Sequence, residues 1–498
     1  MSSHRLGDPD MQMRAISALV LALVALLAPA ASAHGDRDEL SDYAERTWSS
    51  FVAMTDESSG LPADILNSDG SRSVQTSTTN IGAYMWSAVT ARRLGFISRR
   101  ELVARLRRTI GTLEGMERYG DTGQYYNWYD HRTGEKLTAW PPRPQDEFHP
   151  ILSSVDNGWL AVGLKIVART VPQLSRRARR LYNDMDFGFY YVPEENRVLF
   201  HFRPDAPAES PCCYDTLVSE SRIVDYIGIG RGQLPDKEYY GRWRTFPDTC
   251  EYSFQETKPV GRWRRYFGVD VFEGAYEYAG TRLVPSWGGS MFEALMPALF
   301  VPEEGWAPRS WGANHPLTVR AQVFHGLQEA GYGYWGFSPA NDPDGGYGVW
   351  GVDGAGMDPN GMPSNEDKTL VDHGFPGCPG RPAQPDPPQS AYTNGVVTPY
   401  AAFLALRYAP RATAANLRRL ARDFPGLYGK WGFRDSVNVQ TGRVSDAYLS
   451  LDQGMILAAL GNALGGDVLR RAFADRRLER AVRPVIAAER FETSRTGR

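Results

Sequence analysis

Carboxylates in two contrasting settings carry the chemistry this sequence suggests. Asp156, in "SVDNGWLAVGL" at 154–164, stands just ahead of an apolar run and reads as a helix N-cap. A carboxylate that accepts N–H groups at a helix start has its charged form stabilised, so its pKa falls and it suits a base or nucleophile. The phrase returns at 450–460 as "SLDQGMILAAL", with Asp452, and more loosely at 78–89 as "TTNIGAYMWSAV", with Asn80 and Gly82 in the corresponding places. Glu220 differs. In "TLVSESRIVDYIGIG" it falls at i+3 from Leu217, and Val224 and Ile227 continue the stripe, so an acid is expected within an apolar helix face. Burial there raises a carboxyl pKa toward the value a general acid needs. Purely structural roles stand beside these: Asp156 and Asp452 as caps alone, Glu220 as the buried partner of Arg222 or Arg231. Glu293, in "SMFEALMPALF", lies off the stripe of Met291, Phe292, Leu295 and Leu299 and faces a cavity or solvent, depending on where its helix sits.

Two carboxyls whose surroundings push their pKa values apart are the equipment of acid–base hydrolysis, including that of glycosides. Aromatic residues in Gly-rich or turn-like segments fit the same use: Trp128 and Tyr129 in "YYNWYDHRTG", Trp287 in "VPSWGGSMFE", Trp335 in "GYGYWGFSPA", and Trp350. Sugar C–H faces stack on such rings, and carboxylates, amides and a guanidinium such as that of Arg222 satisfy the hydroxyls. Other chemistries lack their signatures, with no G-x-S-x-G elbow, H-E-x-x-H or Walker loop. Asp342, Asp344 and Asp353 in "NDPDGGYGVWGVDG" offer a Ca²⁺ set, without the EF-hand order or its closing glutamate; no other cofactor is implied. A formal net charge of −3 gives nothing to attract nucleic acid or an anionic bilayer.

The elements that must position these residues are mostly helices, and they come in pairs. Apolar residues recur at helical spacing around 79–97 and 99–117, 156–170 and 173–185, 216–230, 290–300, 315–331, 398–408 and 412–423, and 452–463 and 466–478. Two aromatic runs flanking a polar turn predict a β-hairpin over 187–202, and Gly and Pro crowd 338–395 into a long loop. Helix pairs without a low-complexity linker predict one all-α domain over 34–480, an (α/α)6 toroid whose inner helices begin at a cavity. Asn80, Asp156 and Asp452 would then stand at corresponding points of its rim. Ahead of it, "AISALVLALVALLAPA" followed by Ala31-Ser32-Ala33 reads as a signal peptide over 1–33, removed on export, with Met11 or Met13 as alternative starts. No later segment is long and apolar enough to span a membrane, and no Cys at the cleavage site offers a lipid anchor. Residues 481–498 read as a polar tail, and a secreted or periplasmic monomer is expected. Cys212, Cys213, Cys250 and Cys378 are even in number and compatible with two disulfides, with a bridge from Cys250 to Cys212 or Cys213 expected.

Taken together, "TSTTNIGAYMWSAVTARRLGFI", "NWYDHRTGEKL", "SSVDNGWLAVGL", "SESRIVDYIGIGRGQLP", "SWGGSMFEALMP", "YGKWGFRDSVN" and "SLDQGMILAAL" run in order from 76 to 460. The set resembles the bacterial glycoamylase-like family, which includes β-1,2-glucanases and the glycoamylase-like domain of cyclic β-1,2-glucan synthases. The resemblance implies an (α/α)6 toroid acting on a β-linked glucan, with Glu220, Asp156 and Asp130 as the acids of "SES", "SVDNG" and "NWYD". One phrase departs from the family: "YGYWGFSPA" stands where a "WGISE"-like phrase and its acid are expected. A glycoside hydrolase cleaving a β-1,2-glucan is therefore the expected function. A polysaccharide lyase on a uronate-containing glycan and a non-catalytic glycan-binding protein are the alternatives.

Overall fold

The computed structural model describes residues 37–357 and 370–495, and they are rich in helix; the expected signal peptide lies outside them. Helix α1 covers 37–54, α2 Thr78–Leu94, α3 Arg99–Gly115, α4 Ser154–Thr170, α5 Ser175–Asp184, α6 Arg222–Arg231 and α7 Met291–Leu295. After α8 (Glu303–Trp306) and α9 (Trp311–Phe324) come α10 (Pro399–Leu404), α11 (Pro410–Asp423), α12 (Ser450–Gly465), α13 (Val468–Phe473) and α14 (Arg476–Ala488).

Burial sorts these helices into two kinds. In α2 every residue from Thr78 to Ala91 is buried, and α12 is buried almost all round, so both need neighbours on every side. By contrast α3 buries only Leu102, Leu106, Thr109, Ile110 and Leu113, one face of an otherwise polar helix. The enclosed helices pack in sequence: α12 on α2, α2 on α4, α4 on α6, and α10 on both α7 and α12. Arg222 at the start of α6 joins it to α7 by donating to the carbonyl oxygens of Glu293 (2.8 Å) and Ala294 (2.6 Å). Glycines set the closest approaches. A Cβ on Gly82 would lie 2.5 Å from the Trp159 carbonyl oxygen, and one on Gly454 would lie 2.6 Å from Ala83 Cβ.

Short strands fix where the enclosed helices begin. Gln75–Ser77, just before α2, pairs with Trp128–Asp130, and Leu152–Ser153, before α4, pairs with His201–Phe202. Ser286–Trp287, before α7, pairs with Gly356–Met357, and Val396–Val397, before α10, pairs with Val437–Asn438. Ala447–Leu449, before α12, pairs with Ile65–Asn67.

Several expectations are corrected. The hairpin over 187–202 shrinks to two residue pairs, Tyr191–Val192 against Arg197–Val198. Its first aromatic run instead winds into a 3-10 turn, with Asp186 capping Gly188. The largest sheet lies elsewhere: Val260–Tyr266, Val269–Tyr278, Thr281–Leu283 and Ser494–Arg495. Its turns, Phe267–Gly268 and Ala279–Gly280, hold both central residues at positive φ, the geometry that matches strand twist. Residues 481–495 are no tail. Residues 481–488 complete α14 with Val482, Val485 and Ile486 in the core, and buried Glu489 after it accepts from Tyr239 Oη and Arg244 Nε, both at 2.6 Å. Cys250 pairs with Cys378 rather than with the vicinal cysteines, which are bonded to each other. Among the described residues no helix is long and apolar enough to cross a membrane.

Candidate active site

The repeated phrase places its polar residue one turn inside each helix rather than at its cap. Ser77, Ser153 and Ser290 are the N-caps, and each accepts the N–H of the third helical residue: Asn80 (3.1 Å), Asp156 (3.3 Å) and Glu293 (3.4 Å). Asp452 occupies the same position in α12. In a capping box such a side chain reaches back to the cap. Here the third residue also turns to its neighbours, and in α4 Asp156 keeps a side-chain hydrogen bond with the capping Ser153 as well.

Those neighbours form a line of acids that follows the packing order of the helices. Asp156 Oδ1 accepts from Thr79 Oγ1 (2.6 Å), and its Oδ2 accepts from the Asn127 amide (2.9 Å), whose oxygen takes the indole N–H of Trp128 (3.0 Å). Trp159 lies at i+3 from Asp156 on the same face of α4, and its Nε1–H donates to Glu220 Oε2 at 2.5 Å. The N–H of Glu220 donates in turn to Glu293 Oε2 at 2.7 Å. On the other side, Asp64 accepts from Asn80 Nδ2 (2.7 Å) and Gln75 Nε2 (3.3 Å), and the charge of Asp156 acts on it. Asp452 follows, within reach of the charge of Asp64 and hydrogen-bonded to Asp435.

Burial dominates the electrostatics of this line. It pushes Glu220 well above the ordinary carboxyl value, helped by the charges of Glu293 and Asp156 and opposed by the Trp159 donor. Glu293 is pushed up to about 7 by burial, against the Glu220 N–H and Ser219 that favour its charged form. Asp156 was expected low, as a cap. Burial raises it instead, opposed by Ser153 and Thr79, and the rise is smaller than that of Glu220. The two carboxyls thus differ in the expected order, Glu220 holding its proton more tightly, although both sit above their ordinary values.

The structure relocates Glu220. It lies in the turn ahead of α6, not in a helical stripe, so its burial comes from the packing of α4 and α7. Arg222 is fully buried, donates to Glu303 (2.7 Å) and lies over Trp311; together with His315 it holds the buried Glu303 down at about 2. It therefore ties helices together beneath the acids and does not face substrate. Tyr129 is likewise in the core, its hydroxyl on the Glu117 carbonyl (2.6 Å), and Trp335 is enclosed against Asn416. Asp130 is committed to Arg132, which holds its carboxyl below the usual range. Trp128 and Trp287 remain half-exposed, Trp287 beside Phe200 and Tyr214. Asp342 accepts the N–H of Asp344, and Asp344 pairs with Arg443. Among the described residues no group of three or more His, Cys, Asp or Glu side chains could hold a metal ion.

Sequence reasoning missed Asp64, Asp435, Thr79, Asn127 and Tyr347. Tyr347 is exposed, and the charges of Asp452, Asp435, Asp64 and Glu220 all act on its hydroxyl. The departing phrase is now explained locally. Ser338 Oγ accepts the N–H of Phe292 (3.0 Å) at the start of α7, and the Pro339 carbonyl accepts from Tyr400 Oη (2.8 Å).

Comparison with known proteins agrees with this architecture. Residues 255–476 match the Glycoamylase family, described as "Putative glucoamylase", and residues 42–189 match DUF3131, a family of unknown function. The cyclic β-(1,2)-glucan synthase NdvB of Rhizobium meliloti (strain 1021) is 24% identical over 88% of this chain, which spans only 18% of that protein. The endo-β-1,2-glucanase of Chitinophaga pinensis superposes with a TM-score of 0.64 at 17% identity, covering 90% of this chain and 98% of that one. The β-1,2-glucanase of Parabacteroides distasonis gives 0.65 at 16% identity, covering 91% and 60%. The endo-β-1,2-glucanase of Talaromyces funiculosus gives 0.60 at 15%, covering 91% and 89%. The chain carries a glycoamylase-like domain, is homologous to a cyclic β-(1,2)-glucan synthase, and shares the fold of these glucanases.

Proposed function

We propose that the chain is a glycoside hydrolase that cleaves a β-1,2-linked glucan, with Glu220 as general acid and Asp156 as its ionised partner. The observation that carries the reading is the Asp156–Trp159–Glu220–Glu293 arrangement. One face of α4 supplies both a carboxylate held by two donors and the indole that fixes a second, more strongly protonated carboxyl. An acid kept protonated by burial can protonate a glycosidic oxygen, while a carboxylate with hydrogen-bond support accepts a proton from water or stabilises developing positive charge. The helix packing order supports an (α/α)6 toroid in a single domain, α2, α4, α6, α7, α10 and α12 forming the inner ring. Trp128 and Trp287 are the aromatic surfaces available to sugar rings. The line of acids, with Asp64, Asp156 and Glu220 half-buried and Glu293 and Asp452 buried, disfavours a lyase acting on uronates, because its ionised members repel an anionic glycan. Export as a monomer after removal of residues 1–33 completes the reading.

The experiment is to incubate the purified protein with linear and cyclic β-1,2-glucan, β-1,3- and β-1,4-glucans and a uronate polymer, resolving the products by chromatography. Shortened β-1,2-linked products from the native protein and none from Glu220→Gln are expected. Cleavage of another glycan alone, or unsaturated products, would overturn the assignment.

A further inference from the structure

We propose that a cavity at the far end of the enclosed helices binds a phosphate group, held by Lys165 inside it and by Arg169, Arg179 and Arg477 at its exposed edge. The cavity, about 560 Å³, lies between the later turns of α4, α5 and α6 and the first turn of α14. Lys165 follows Asp156 along α4 by about two and a half turns, which is about 13 Å at 1.5 Å per residue. Likewise Glu220 precedes the first residue of α6, whereas Arg231 is its last. No residue of the acid line borders the cavity, so the site stands apart from it and does not depend on the hydrolase reading.

The charges around the cavity do not balance. Five cations and one carboxylate line it, in a chain whose formal net charge is −3. Arg231 is occupied, donating to the carbonyl oxygens of Tyr182 and Asn183 at the end of α5, both at 2.8 Å. Asp475 serves three donors at once: the Leu478 N–H at the start of α14 (2.9 Å), Arg169 (3.1 Å) and Lys165 (3.5 Å). Arg179 donates to Ser175 Oγ (3.3 Å), and neither it nor Arg477 forms an ion pair among the described residues. Lys165 is the telling member, because its side chain is 11% exposed and its ammonium has three N–H groups to satisfy. Burial pushes that ammonium down to about 8, Asp475 opposes the fall, and Arg169 and Arg477 add to it. A lysine so placed is short of negative charge, and an anion in the cavity supplies it. Guanidinium forks match the oxygens of phosphate, and a dianion answers more of these cations than a carboxylate would. The volume exceeds that of a phosphate ion, so the organic part of an ester fits beside Ala168 and Leu478.

The test is titration calorimetry of the full chain near neutral pH and at low ionic strength, with inorganic phosphate, glucose 6-phosphate and glucose as probes. A Kd below about 1 mM is expected for a phosphate-bearing probe, and no binding of glucose. Tighter binding of glucose 6-phosphate identifies a phosphorylated solute as the ligand, and equal affinity for the two identifies free phosphate. Lys165→Met and Arg477→Ala should each weaken binding by about tenfold or more, the worth of a charge-assisted hydrogen bond. Arg476→Ala should leave it unchanged, since that exposed arginine neighbours the cavity without lining it. If Lys165→Met does not fold, a double variant of the exposed Arg179 and Arg477, each replaced by Ala, takes its place with the same expected loss. Failure of both phosphate probes to bind, equal binding of glucose, or a loss in Arg476→Ala matching that in Arg477→Ala would reveal an ordinary solvated basic surface and overturn the site.

Discussion

At the scale of single residues, the useful distinction is between what identified a carboxyl and what gives it its chemistry. Asp156 and Glu220 were legible from sequence because one repeats within a phrase and the other sits among apolar residues. The reasons attached to them changed. Asp156 lies one turn inside α4, where burial outweighs the helix start, and Glu220 is enclosed by other helices rather than by its own stripe. Asp435 lay in plain view in "FRDS", but nothing local distinguishes it from a turn aspartate; only the approach of α12 makes it a partner. Glu220→Gln keeps the size of the side chain and removes the transferable proton, so kcat should fall by about two to three orders of magnitude on the β-1,2-glucan of the proposed reading. Asp156→Asn should do comparable damage, and near-native turnover in either variant would refute its role. Stability should move the opposite way. Glu220 has a higher pKa folded than unfolded, so its favourable contribution is complete below the unfolded value near pH 4.3 and is lost as pH rises toward the folded value. Glu220→Gln should therefore melt about 2 °C or more above the native protein at pH 7 and lose that advantage at pH 4, as differential scanning calorimetry would show.

Among the elements, helices were read well and strands poorly, for a physical reason. Helical periodicity is local, so most of the expected runs found their helices within a few residues, with α6 starting late because Ser219–Ser221 bend toward α7. The strands that precede the enclosed helices are two or three residues long and pair with distant segments, so no window of sequence contains their partner. The sheet over 260–283 escaped for another cause: its turns use Phe267 and Ala279 at positive φ, where Asn or Asp would have announced a hairpin. Gly82 shows what the repeated phrase is for at this scale. Gly82→Ala would set a Cβ against the Trp159 carbonyl and push α2 from α4, the helix that carries both Asp156 and Trp159. The expected outcome is a loss of about 1–3 kcal/mol in denaturant unfolding, together with a fall in activity that added substrate does not restore. Unchanged stability would mean that the helices are not in contact there.

For the whole molecule, the C-terminal residues show how far from its sequence neighbours a segment can be put to work. Residues 481–498 look polar, and their composition gives no hint that Glu489 will close a buried site around Arg244 and Tyr239. Removing one partner of such a pair leaves an uncompensated buried charge, so Glu489→Ala should cost about 3–5 kcal/mol while leaving kcat intact below the melting range. A variant as stable as the native protein would show that Arg244 finds another acceptor. The strand pair of Ile65–Asn67 with Ala447–Leu449 has a wider consequence. It sets Asp64 beside Asp452, so residues nearly four hundred positions apart in the chain become neighbours in the acid line. A contact of that separation pays its loop-closure entropy late, after the intervening helices have packed. The row of acids therefore has no complete half-built form: a growing chain carries Asp156 and Glu220 long before it holds Asp452. On the proposed hydrolase reading, activity arrives only with this late closure.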